Sequence, residues 1–312
     1  MNETILITGC AGFIGSNMCT YLLKKNYSVI GVDNFLTGKK ENLLPFANNK
    51  KFDFIKQDIC NEIKINSKIN SILHFASTAS PSDYLKYPIK TLRIGSLGTE
   101  NILKLGLEHN ARVLVASTSE IYGDPLEHPQ SESYFGNVNP IGPRGVYDEA
   151  KRYLEALTMA YHKKYKLETK IVRIFNTYGP NMRINDGRAI PNFINQILRN
   201  KEITIYGDGN QTRSFCYVDD TIDGIYKALK ANYNYPINIG NPTEYTINEL
   251  VNEISNIIPN NCKIIFSEFP ENDPKVRKPN ISLAKKVLNW EPSINIKTGL
   301  KKTIKYFKCL EQ

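Results

Sequence analysis

The sequence of 312 residues is 41% hydrophobic and 23% charged, which is typical of a globular chain long enough to form two lobes. Its formal net charge is +9, but the lysines are scattered rather than grouped, so we expect no nucleic-acid partner. No apolar run reaches about 18 residues, and the six cysteines and four histidines lie far apart. We therefore expect a cytoplasmic protein with no secretory signal, no membrane span, no metal site and no disulfides.

The first 175 residues alternate between apolar strand-like segments and amphipathic helical segments. The apolar runs predict strands, and the spacing between them predicts helices, at these positions: strands at 5–8, 28–32, 52–57, 71–75, 112–117 and 171–175, and helices at 14–24, 88–108 and 147–166. Strands that alternate with helices form parallel sheets covered on both faces. The sequence therefore predicts an α/β fold with a Rossmann-type doubly wound parallel sheet.

The pattern changes after residue 175, where glycine, proline and asparagine become frequent. Short strands are predicted at 203–206 and 215–218, the second followed by a helix. A helix near 247–258, a short strand near 263–266 and a C-terminal helix follow them. We expect a Rossmann domain over 1–175, rejoined by 213–236, and a smaller α/β C-terminal lobe made of 176–212 and 237–312.

A glycine-rich turn stands between the first predicted strand and the first predicted helix. Gly9, Gly12 and Gly15 have the spacing at which a tight turn lets the backbone approach a pyrophosphate at a helix N-terminus. Asp33 follows Gly15 by 18 residues, at the end of the second strand, where a carboxylate accepts hydrogen bonds from ribose hydroxyls and repels a 2′-phosphate. The motif thus predicts NAD rather than NADP, although Asp33 also suits a turn.

A tyrosine and a lysine four residues apart form the candidate catalytic pair. Tyr147 and Lys151 fall on one face of a predicted helix. A phenol has a pKa near 10, and we expect the ammonium and a positively charged nicotinamide to lower it towards neutrality. Thr118, at the end of the fifth predicted strand, is placed to hydrogen-bond the reacting oxygen, or to cap a turn. These residues predict a dehydrogenase that removes the proton of an alcohol without a metal.

Several segments in order along the chain extend this pattern. They are Ala79-Ser80-Pro81, Ser117-Thr118-Ser119-Glu120, Asn139-Pro140-Ile141-Gly142-Pro143-Arg144, Tyr147-Asp148-Glu149, Arg173-Ile174-Phe175-Asn176, Asn185-Asp186-Gly187-Arg188, Gly209-Asn210-Gln211-Thr212-Arg213 and Arg277-Lys278-Pro279. With them the chain resembles, over its whole length, the extended short-chain dehydrogenase/reductases. Within that family it is most similar to the UDP-glucuronate decarboxylases. Ser119 and Glu120 distinguish it from the 4,6-dehydratases, which have an aspartate at the first position, and from the 4-epimerases, which have a small neutral residue at the second.

The resemblance implies a reaction and its catalytic residues. UDP-glucuronate is oxidised at C4, loses carbon dioxide as a β-keto acid, and becomes UDP-xylose when C5 is protonated and the hydride is returned. The implied catalytic residues are Thr118, Ser119, Glu120, Tyr147, Lys151 and Arg277. Glu120 is placed either to transfer the C5 proton or to hold a water, and Arg277 to orient the sugar carboxylate; without the resemblance, Arg277 also fits a basic surface run.

The same resemblance implies two binding sites. The NAD site comprises Gly9, Gly12, Phe13, Ile14, Gly15, Asp33, Asn34, Phe35, Thr37, Gly38, Asp58, Ile59, Ala76, Tyr147, Lys151 and Arg188. The substrate site comprises Ser80, Pro81, Tyr84, Arg93, Asn176, Tyr206, Gln211, Arg213 and Arg277. Within these sets, Asp58 is placed to meet the adenine but also suits a helix N-cap, and Tyr206 is placed to stack on uracil. The first domain is thereby implied to bind NAD and the second lobe to bind the sugar nucleotide.

Other functions and two departures from the family remain to be weighed. The alternatives are a nucleotide-sugar 4-epimerase or 4,6-dehydratase, or a non-catalytic relative that binds a dinucleotide or RNA. Thr78 replaces a common proline, and Gly95 replaces a usual asparagine and costs helix propensity. The resemblance also implies a homodimer, in which helices near 94–109 and 147–166 form a four-helix bundle.

Overall fold

Seven parallel strands form the central sheet within residues 3–311, the part of the chain that the computed structural model describes. The elements of the first half are β1 (Thr4–Thr8), α1 (Phe13–Lys24), β2 (Ser28–Asp33), a 3-10 helix (Lys40–Phe46), β3 (Phe52–Lys56), β4 (Ser71–His74), α2 (Pro81–Lys86), α3 (Pro88–Arg93), a π-helical turn (Ile94–Gly98), α4 (Thr99–His109), β5 (Arg112–Thr118), a 3-10 turn (Ser119–Tyr122), α5 (Gly145–Tyr165) and β6 (Thr169–Ile174). Each of the six strands predicted before residue 176 is present, although β3 and β6 include charged residues among their apolar ones.

The second half is built from shorter pieces. They are β7 (Thr177–Tyr178), α6 (Ala189–Leu198), β8 (Ile203–Tyr206), β9 (Thr212–Ser214), β10 (Cys216–Tyr217), α7 (Val218–Lys230), β11 (Pro236–Ile239), β12 (Glu244–Thr246), α8 (Ile247–Ile257), β13 (Ile264–Ser267), α9 (Ser282–Leu288) and α10 (Ile296–Glu311). Of these, the helices α6 and α9 and the strands β7, β9, β11 and β12 were not predicted. The predicted strand at 215–218 is the two-residue β10, since α7 begins at Val218.

The sheet has the strand order β3-β2-β1-β4-β5-β6-β11, with every neighbouring pair parallel. The chain reverses direction across the sheet between β1 and β4. In doubly wound sheets, ligands bind beyond the carboxyl ends of the strands at this switch point. The predicted fold class is confirmed, and the order places the glycine turn after β1 next to the loop after β4.

Two apolar layers hold the sheet. One lies between the sheet and the helix pair α1 and α7, and continues into the second half of the chain around Phe193, Leu250 and Phe307. The other lies under α4 and α5 and includes Val115 and Leu154. The inner strands β1, β4 and β5 are buried on both faces and are rich in continuous apolar residues, whereas the edge strand β3 is largely exposed.

The predicted helix at 88–108 is interrupted by the π-helical turn. Gly95 lies in this turn, and a Cβ there would stand 2.7 Å from the carbonyl oxygen of Ala150 in α5. The π-helical turn and α5 therefore pack closely only because residue 95 has no side chain. This close approach explains the departure at Gly95, which the sequence alone presented as a loss of helix propensity.

Candidate active site

The glycine turn after β1 is shaped by backbone contacts. Gly9 has a φ of +72°, a left-handed conformation that favours glycine. A Cβ on Gly15 would lie 2.1 Å from the carbonyl oxygen of Gly9, so α1 can begin here only with glycine at this position. The turn thus leaves the N-terminus of α1 open, and free N–H groups at a helix N-terminus suit a pyrophosphate.

Asp33 lies at the end of β2 against this turn. Its Oδ2 accepts a hydrogen bond from the amide of Ala11 at 3.0 Å, and its Oδ1 accepts one from the amide of Phe35 at 2.8 Å. Burial raises the pKa of this carboxyl group, while these amides oppose the rise. Each carboxylate oxygen has a further lone pair, so the group has the acceptors that two ribose hydroxyls need. Asp33 therefore does both things that the sequence suggested: it holds the turn through backbone amides, and it lines the cleft.

Asp58 follows β3 and faces the same cleft. It pairs with the Lys90 ammonium, accepts from the Asn34 side chain at 3.2 Å, and accepts from the Cys60 amide at 2.9 Å. Burial by itself would raise the pKa of Asp58, but the hydrogen bonds from Lys90 and Cys60 lower it overall. The carboxylate is therefore ionised and held in a turn rather than at the N-terminus of a helix.

One cleft runs from the glycine turn along the carboxyl ends of the strands. The predicted NAD residues that line it are Gly9, Gly12, Phe13, Ile14, Gly15, Asp33, Asn34, Thr37, Gly38, Asp58, Ile59, Ala76 and Arg188. Of the predicted substrate residues, Ser80 lines it as well. Phe35, Tyr147 and Lys151 are not among the lining residues. A cleft lined by glycines and by the Asp33 carboxylate has the chemistry that NAD requires.

The candidate catalytic pair lies on the first two turns of α5, beside the end of β5. Tyr147 and Lys151 are both buried, and the Lys151 ammonium stands 5.8 Å from the centre of the Tyr147 ring. Lys151 donates a hydrogen bond of 2.8 Å to the carbonyl of Ala116, which fixes it against β5. The Tyr84 ring stacks on Tyr147 with a centroid distance of 5.3 Å.

The pKa of the tyrosine differs from the expectation. Burial raises the pKa of Tyr147, and the nearby Glu120 raises it further, while the hydroxyl of Thr118 opposes the rise. Burial also lowers the pKa of Lys151 to about 8, so its ammonium remains charged at neutral pH. The expected lowering of the phenol pKa is therefore not achieved by the protein groups alone, because desolvation outweighs them.

Thr118 has a structural as well as a candidate catalytic position. Its Oγ1 accepts a hydrogen bond of 3.3 Å from the amide of Glu120 and so caps the 3-10 turn that follows β5. The same hydroxyl lies beside the Tyr147 phenol. The turn directs Ser119 and Glu120 towards Arg277.

Glu120 is held between two arginines. Its carboxylate oxygens pair with the guanidinium groups of Arg277 and Arg144. Burial would raise the pKa of Glu120, but the two guanidinium charges lower it to about 2. Glu120 is therefore a carboxylate across the physiological pH range.

Arg277 is only 2% exposed, which excludes a surface role in a basic run. It also donates to the carbonyl of Gly123 at 3.0 Å and stands 3.5 Å from Ser119 Oγ. Its Nε has no hydrogen-bond partner although it is buried. An unpartnered buried donor of this kind suits an anionic ligand.

The predicted uridine-diphosphate residues lie farther along the chain, around β8 and β9. Tyr206 is 49% exposed, and its carbonyl accepts from the Gln211 side chain at 2.6 Å. Arg213 donates to Asp273 at 2.7 Å, and Asn176 follows β6. Pro81 begins α2, while Arg93 is exposed at the end of α3 and is brought into none of these groups.

Several residues of the site were not predicted from the sequence. Arg144 and Asp273 join the Glu120 cluster, and Arg183 pairs with Asp83 and Ser80 beside the cleft. The sequence near a buried arginine does not indicate which carboxylate it pairs with, since the two partners are far apart along the chain. Arg188, which was predicted as an NAD residue, also pairs with Asp186, two residues away in the same loop.

The doubly wound sheet, the glycine turn with Asp33, and the buried tyrosine–lysine pair together define a nicotinamide-dinucleotide enzyme of the extended short-chain dehydrogenase/reductase class. Comparison with known proteins agrees: residues 5–240 match the model of the NAD dependent epimerase/dehydratase family. The chain belongs to this family, and NAD is its cofactor.

Relatives of known activity cover nearly the whole chain. UDP-glucuronic acid decarboxylase 3 of Arabidopsis thaliana is 47% identical over 300 residues, which are 96% of this chain and 87% of that protein. UDP-glucuronic acid decarboxylase 1 of Xenopus tropicalis is 45% identical over 306 residues, 98% of this chain and 72% of that protein. The similarity therefore includes both the first 175 residues and the C-terminal part.

Solved structures share the fold over the full length. UDP-glucose 4-epimerase from Thermotoga maritima superposes with a TM-score of 0.92 at 28% identity, covering 99% of this chain and 100% of that one. UDP-glucuronic acid 4-epimerase from Bacillus cereus, solved with UDP-glucuronic acid and NAD, gives 0.86 at 30% identity with the same coverage. Within residues 3–311, no helix has the length and apolar character to cross a bilayer.

Proposed function

We propose that this protein is a UDP-glucuronate decarboxylase that uses NAD to convert UDP-glucuronate to UDP-xylose. The observation that carries the proposal is the 45–47% identity to decarboxylases along nearly the whole chain. The Glu120–Arg277 pair beside Tyr147 supports it, because it joins a carboxylate-binding group to the catalytic pair. When bound, NAD supplies a hydride acceptor for the sugar C4 and a positive charge near the phenol.

Tyr147 is proposed to take the proton of the C4 hydroxyl. Thr118 hydrogen-bonds the phenol and so holds it in line with the sugar oxygen. Lys151 is fixed on the Ala116 carbonyl and keeps a positive charge close to the ring. A charge close to the phenol favours the phenolate, which is the form that accepts the proton.

Arg277 is proposed to orient the sugar carboxylate. A tight ion pair to that carboxylate would stabilise the ground state and oppose the loss of carbon dioxide. Arg277 already shares its charge with Glu120, which weakens any ion pair that it forms with the sugar carboxylate. Alignment of the bond that breaks with the C4 carbonyl lets the electron pair pass into an enolate, whose oxygen Thr118 and Tyr147 can stabilise.

Glu120 is proposed to act as a carboxylate that orients a water towards C5. Two guanidinium groups lower its pKa to about 2, so it carries no proton to donate at neutral pH. An ionised carboxylate accepts a hydrogen bond from water and leaves the second water proton free for the carbon. The hydroxide formed when this proton is transferred takes up a proton from solvent, so the loss of carbon dioxide consumes one solvent proton overall. The low pKa favours this role over direct proton donation by Glu120.

The binding sites follow from the same proposal. The cleft residues from Gly9 to Arg188 would hold NAD, with Asp33 on the ribose. The UDP part of the substrate would lie along Asn176, Gln211 and Arg213, with uracil against Tyr206. The division of the chain into an NAD-binding domain and a substrate-binding lobe remains a prediction. The cytoplasmic location also remains a prediction.

A homodimer is also proposed. Helices α3 and α5 pack together, and apolar side chains on them and on the π-helical turn face outward. These are Ile89, 69% exposed, Leu92, 38%, Leu97, 37%, and Tyr153, 51%. A second copy of the same surface would bury them in a four-helix bundle.

The decisive experiment incubates the purified protein with UDP-glucuronate and catalytic NAD and follows products by mass and proton NMR. A mass loss equal to carbon dioxide with a xylose spectrum is expected. An unchanged mass with a galacturonate spectrum would make the protein a 4-epimerase. A released 4-keto-pentose with accumulating NADH would mean that the hydride is not returned.

A further inference from the structure

Arg144 connects three parts of the candidate active site. Its carbonyl accepts from the amides of Tyr147 and Asp148, at 3.0 and 3.2 Å, and so begins the helix that carries the catalytic tyrosine. One arm of its guanidinium, Nη2, pairs with Glu120. The other, Nη1, donates to Asp273 at 2.9 Å. The side chain is 15% exposed and is therefore largely shielded from water.

Asp273 belongs to a strap that crosses the site, which we define as residues 271–278. The strap is bonded to the amide of Thr212 through the Lys275 carbonyl at 3.1 Å, and it ends in Arg277 and Lys278. Asp273 itself bridges two arginines, since Oδ1 accepts from Arg144 and Oδ2 accepts from Arg213. The strap thus carries both a partner of Arg144 and a partner of Glu120.

Alternating charges form a continuous chain through the site. Its order is Arg213, Asp273, Arg144, Glu120 and Arg277. Three positive and two negative groups leave one positive charge unbalanced, which suits an anionic substrate. A guanidinium can hold two carboxylates at once because its donors form a rigid fork, whereas an ammonium is a point charge.

The strap is bonded to the loop before α5 at a second position. Asn139 donates to the Asn272 side chain at 3.0 Å. With the Arg144–Asp273 pair, this makes two contacts between the loop at 139–144 and the strap. Of the residues that form these two contacts, Arg144 also pairs with the Glu120 carboxylate.

We propose that Arg144 is a positioning residue that fixes the orientation of the Glu120 carboxylate and ties this orientation to the strap through Asp273. The inference rests on the proposed decarboxylase function. Without Arg144, Glu120 would keep a single partner, Arg277, and would turn freely about that contact. The step that depends on Glu120 would slow, while NAD binding in the cleft would not change.

The test measures carbon dioxide release by Arg144→Gln in the wild-type background and in the Glu120→Gln background. A charge-assisted hydrogen bond is worth about 1.5–3 kcal/mol, so we expect kcat to fall by about 10- to 100-fold in the wild-type background. In the Glu120→Gln background the further loss should stay below about 3-fold, since two residues that act through one contact are not additive. Equal losses in both backgrounds would overturn the inference.

A pH profile decides the matter if Glu120→Gln is too slow to measure. The cationic groups near Glu120 are Arg277, Arg144 and the more distant Arg213. The other titratable groups near it are Asp148, Tyr84 and Tyr147. Loss of Arg144 removes a charge that lowers the Glu120 pKa, so the acid limb of kcat should move to higher pH. Arg144→Lys should restore the limb but only part of kcat. A limb that does not move would contradict the inference.

The matched control is Arg112→Gln. Arg112 also pairs with a glutamate, Glu168 at 2.6 Å, but at the opposite end of β5. Its kcat and pH profile should equal those of the wild type. If the wild-type protein released no carbon dioxide, the proposed function would fail; if it did and Arg144→Gln matched it, only the positioning role would fail.

Discussion

At the scale of single residues, burial governs the chemistry of the site. Tyr147, Asp148 and Lys151 are all buried, and desolvation is the largest influence on the pKa of each. It raises the pKa of the phenol and of the carboxyl group and lowers that of the ammonium, because it penalises whichever form is charged. For Glu120, desolvation would also raise the pKa, but the charges of Arg277 and Arg144 outweigh it and lower the pKa.

Replacing Tyr147 by phenylalanine tests the proton acceptor. The ring and its stacking on Tyr84 remain, but the oxygen proposed to take the C4 proton is lost. General base catalysis is worth about 10²- to 10⁴-fold, so kcat for carbon dioxide release should fall by that factor. Tyr153→Phe, on the exposed face of the same helix, should keep full activity. A Tyr147→Phe enzyme with near-normal kcat would exclude Tyr147 as the base.

Asp148 gives a prediction about stability and pH. Burial, and the nearby Glu120 charge, raise the pKa of Asp148 from 3.8 to about 7. Between these values the folded protein holds a proton that the unfolded chain releases, so the stability present below pH 4 is lost as the pH rises to about 7. Above that pH the folded state carries a buried carboxylate with one unpartnered oxygen.

Asp148→Asn should therefore stabilise the protein at pH 8 and have little effect at pH 4. Removing the buried charge is worth about 1–3 kcal/mol, which in a chain of this size raises Tm by about 2–8 °C. Thermal unfolding of both proteins at pH 4 and pH 8 measures the difference. A Tm gain of the same size at both pH values would refute the ionisation as its cause.

At the scale of helices and strands, prediction succeeded where a segment carries its own pattern. The six strands from β1 to β6 are built around apolar residues, and α1 follows the glycine turn that begins it. The strand β11 was missed because it has four residues, one of them the buried Asn238. Asn238 bonds to Tyr122 at 2.8 Å, a contact between residues 116 positions apart that no local pattern records.

The π-helical turn between α3 and α4 yields a prediction for this scale. A Cβ at residue 95 would meet the Ala150 carbonyl oxygen at 2.7 Å. Ala150 belongs to α5, so its backbone cannot move aside without displacing Tyr147 and Lys151 on the same helix. Overpacking of this kind costs about 1–3 kcal/mol, so Gly95→Ala should lower the free energy of unfolding by that amount.

Gly98→Ala is the comparison for this prediction. Its Cβ would meet the Cδ1 of Ile59 at 2.7 Å, which is the end of a side chain that can change rotamer. The loss of stability, measured by denaturant unfolding, should be smaller than for Gly95→Ala. If the two variants were equally stable, the tight approach of α5 would not be what requires glycine at residue 95.

At the scale of the whole molecule, the doubly wound parallel sheet and the glycine turn could be foreseen, whereas the charged chain around Glu120 could not. Its members come from β9, the strap, the start of α5 and the turn after β5, and they meet only when the second half of the chain closes over the first. Sequence motifs identified Glu120, Arg213 and Arg277 by resemblance. Arg144 and Asp273 became visible through their contacts.

The apolar surface on α3, α5 and the π-helical turn leads to the last prediction. Light scattering at micromolar concentration should give a mass of twice 35.5 kDa. Ile89→Asp places a charge on the most exposed of these side chains and should yield the mass of one chain, because an unpaired charge is costly to bury in an interface. Leu126→Asp, 82% exposed but on a loop outside these helices, should remain a dimer. A wild-type mass near that of a single chain would refute the dimer and leave this surface without a self-partner.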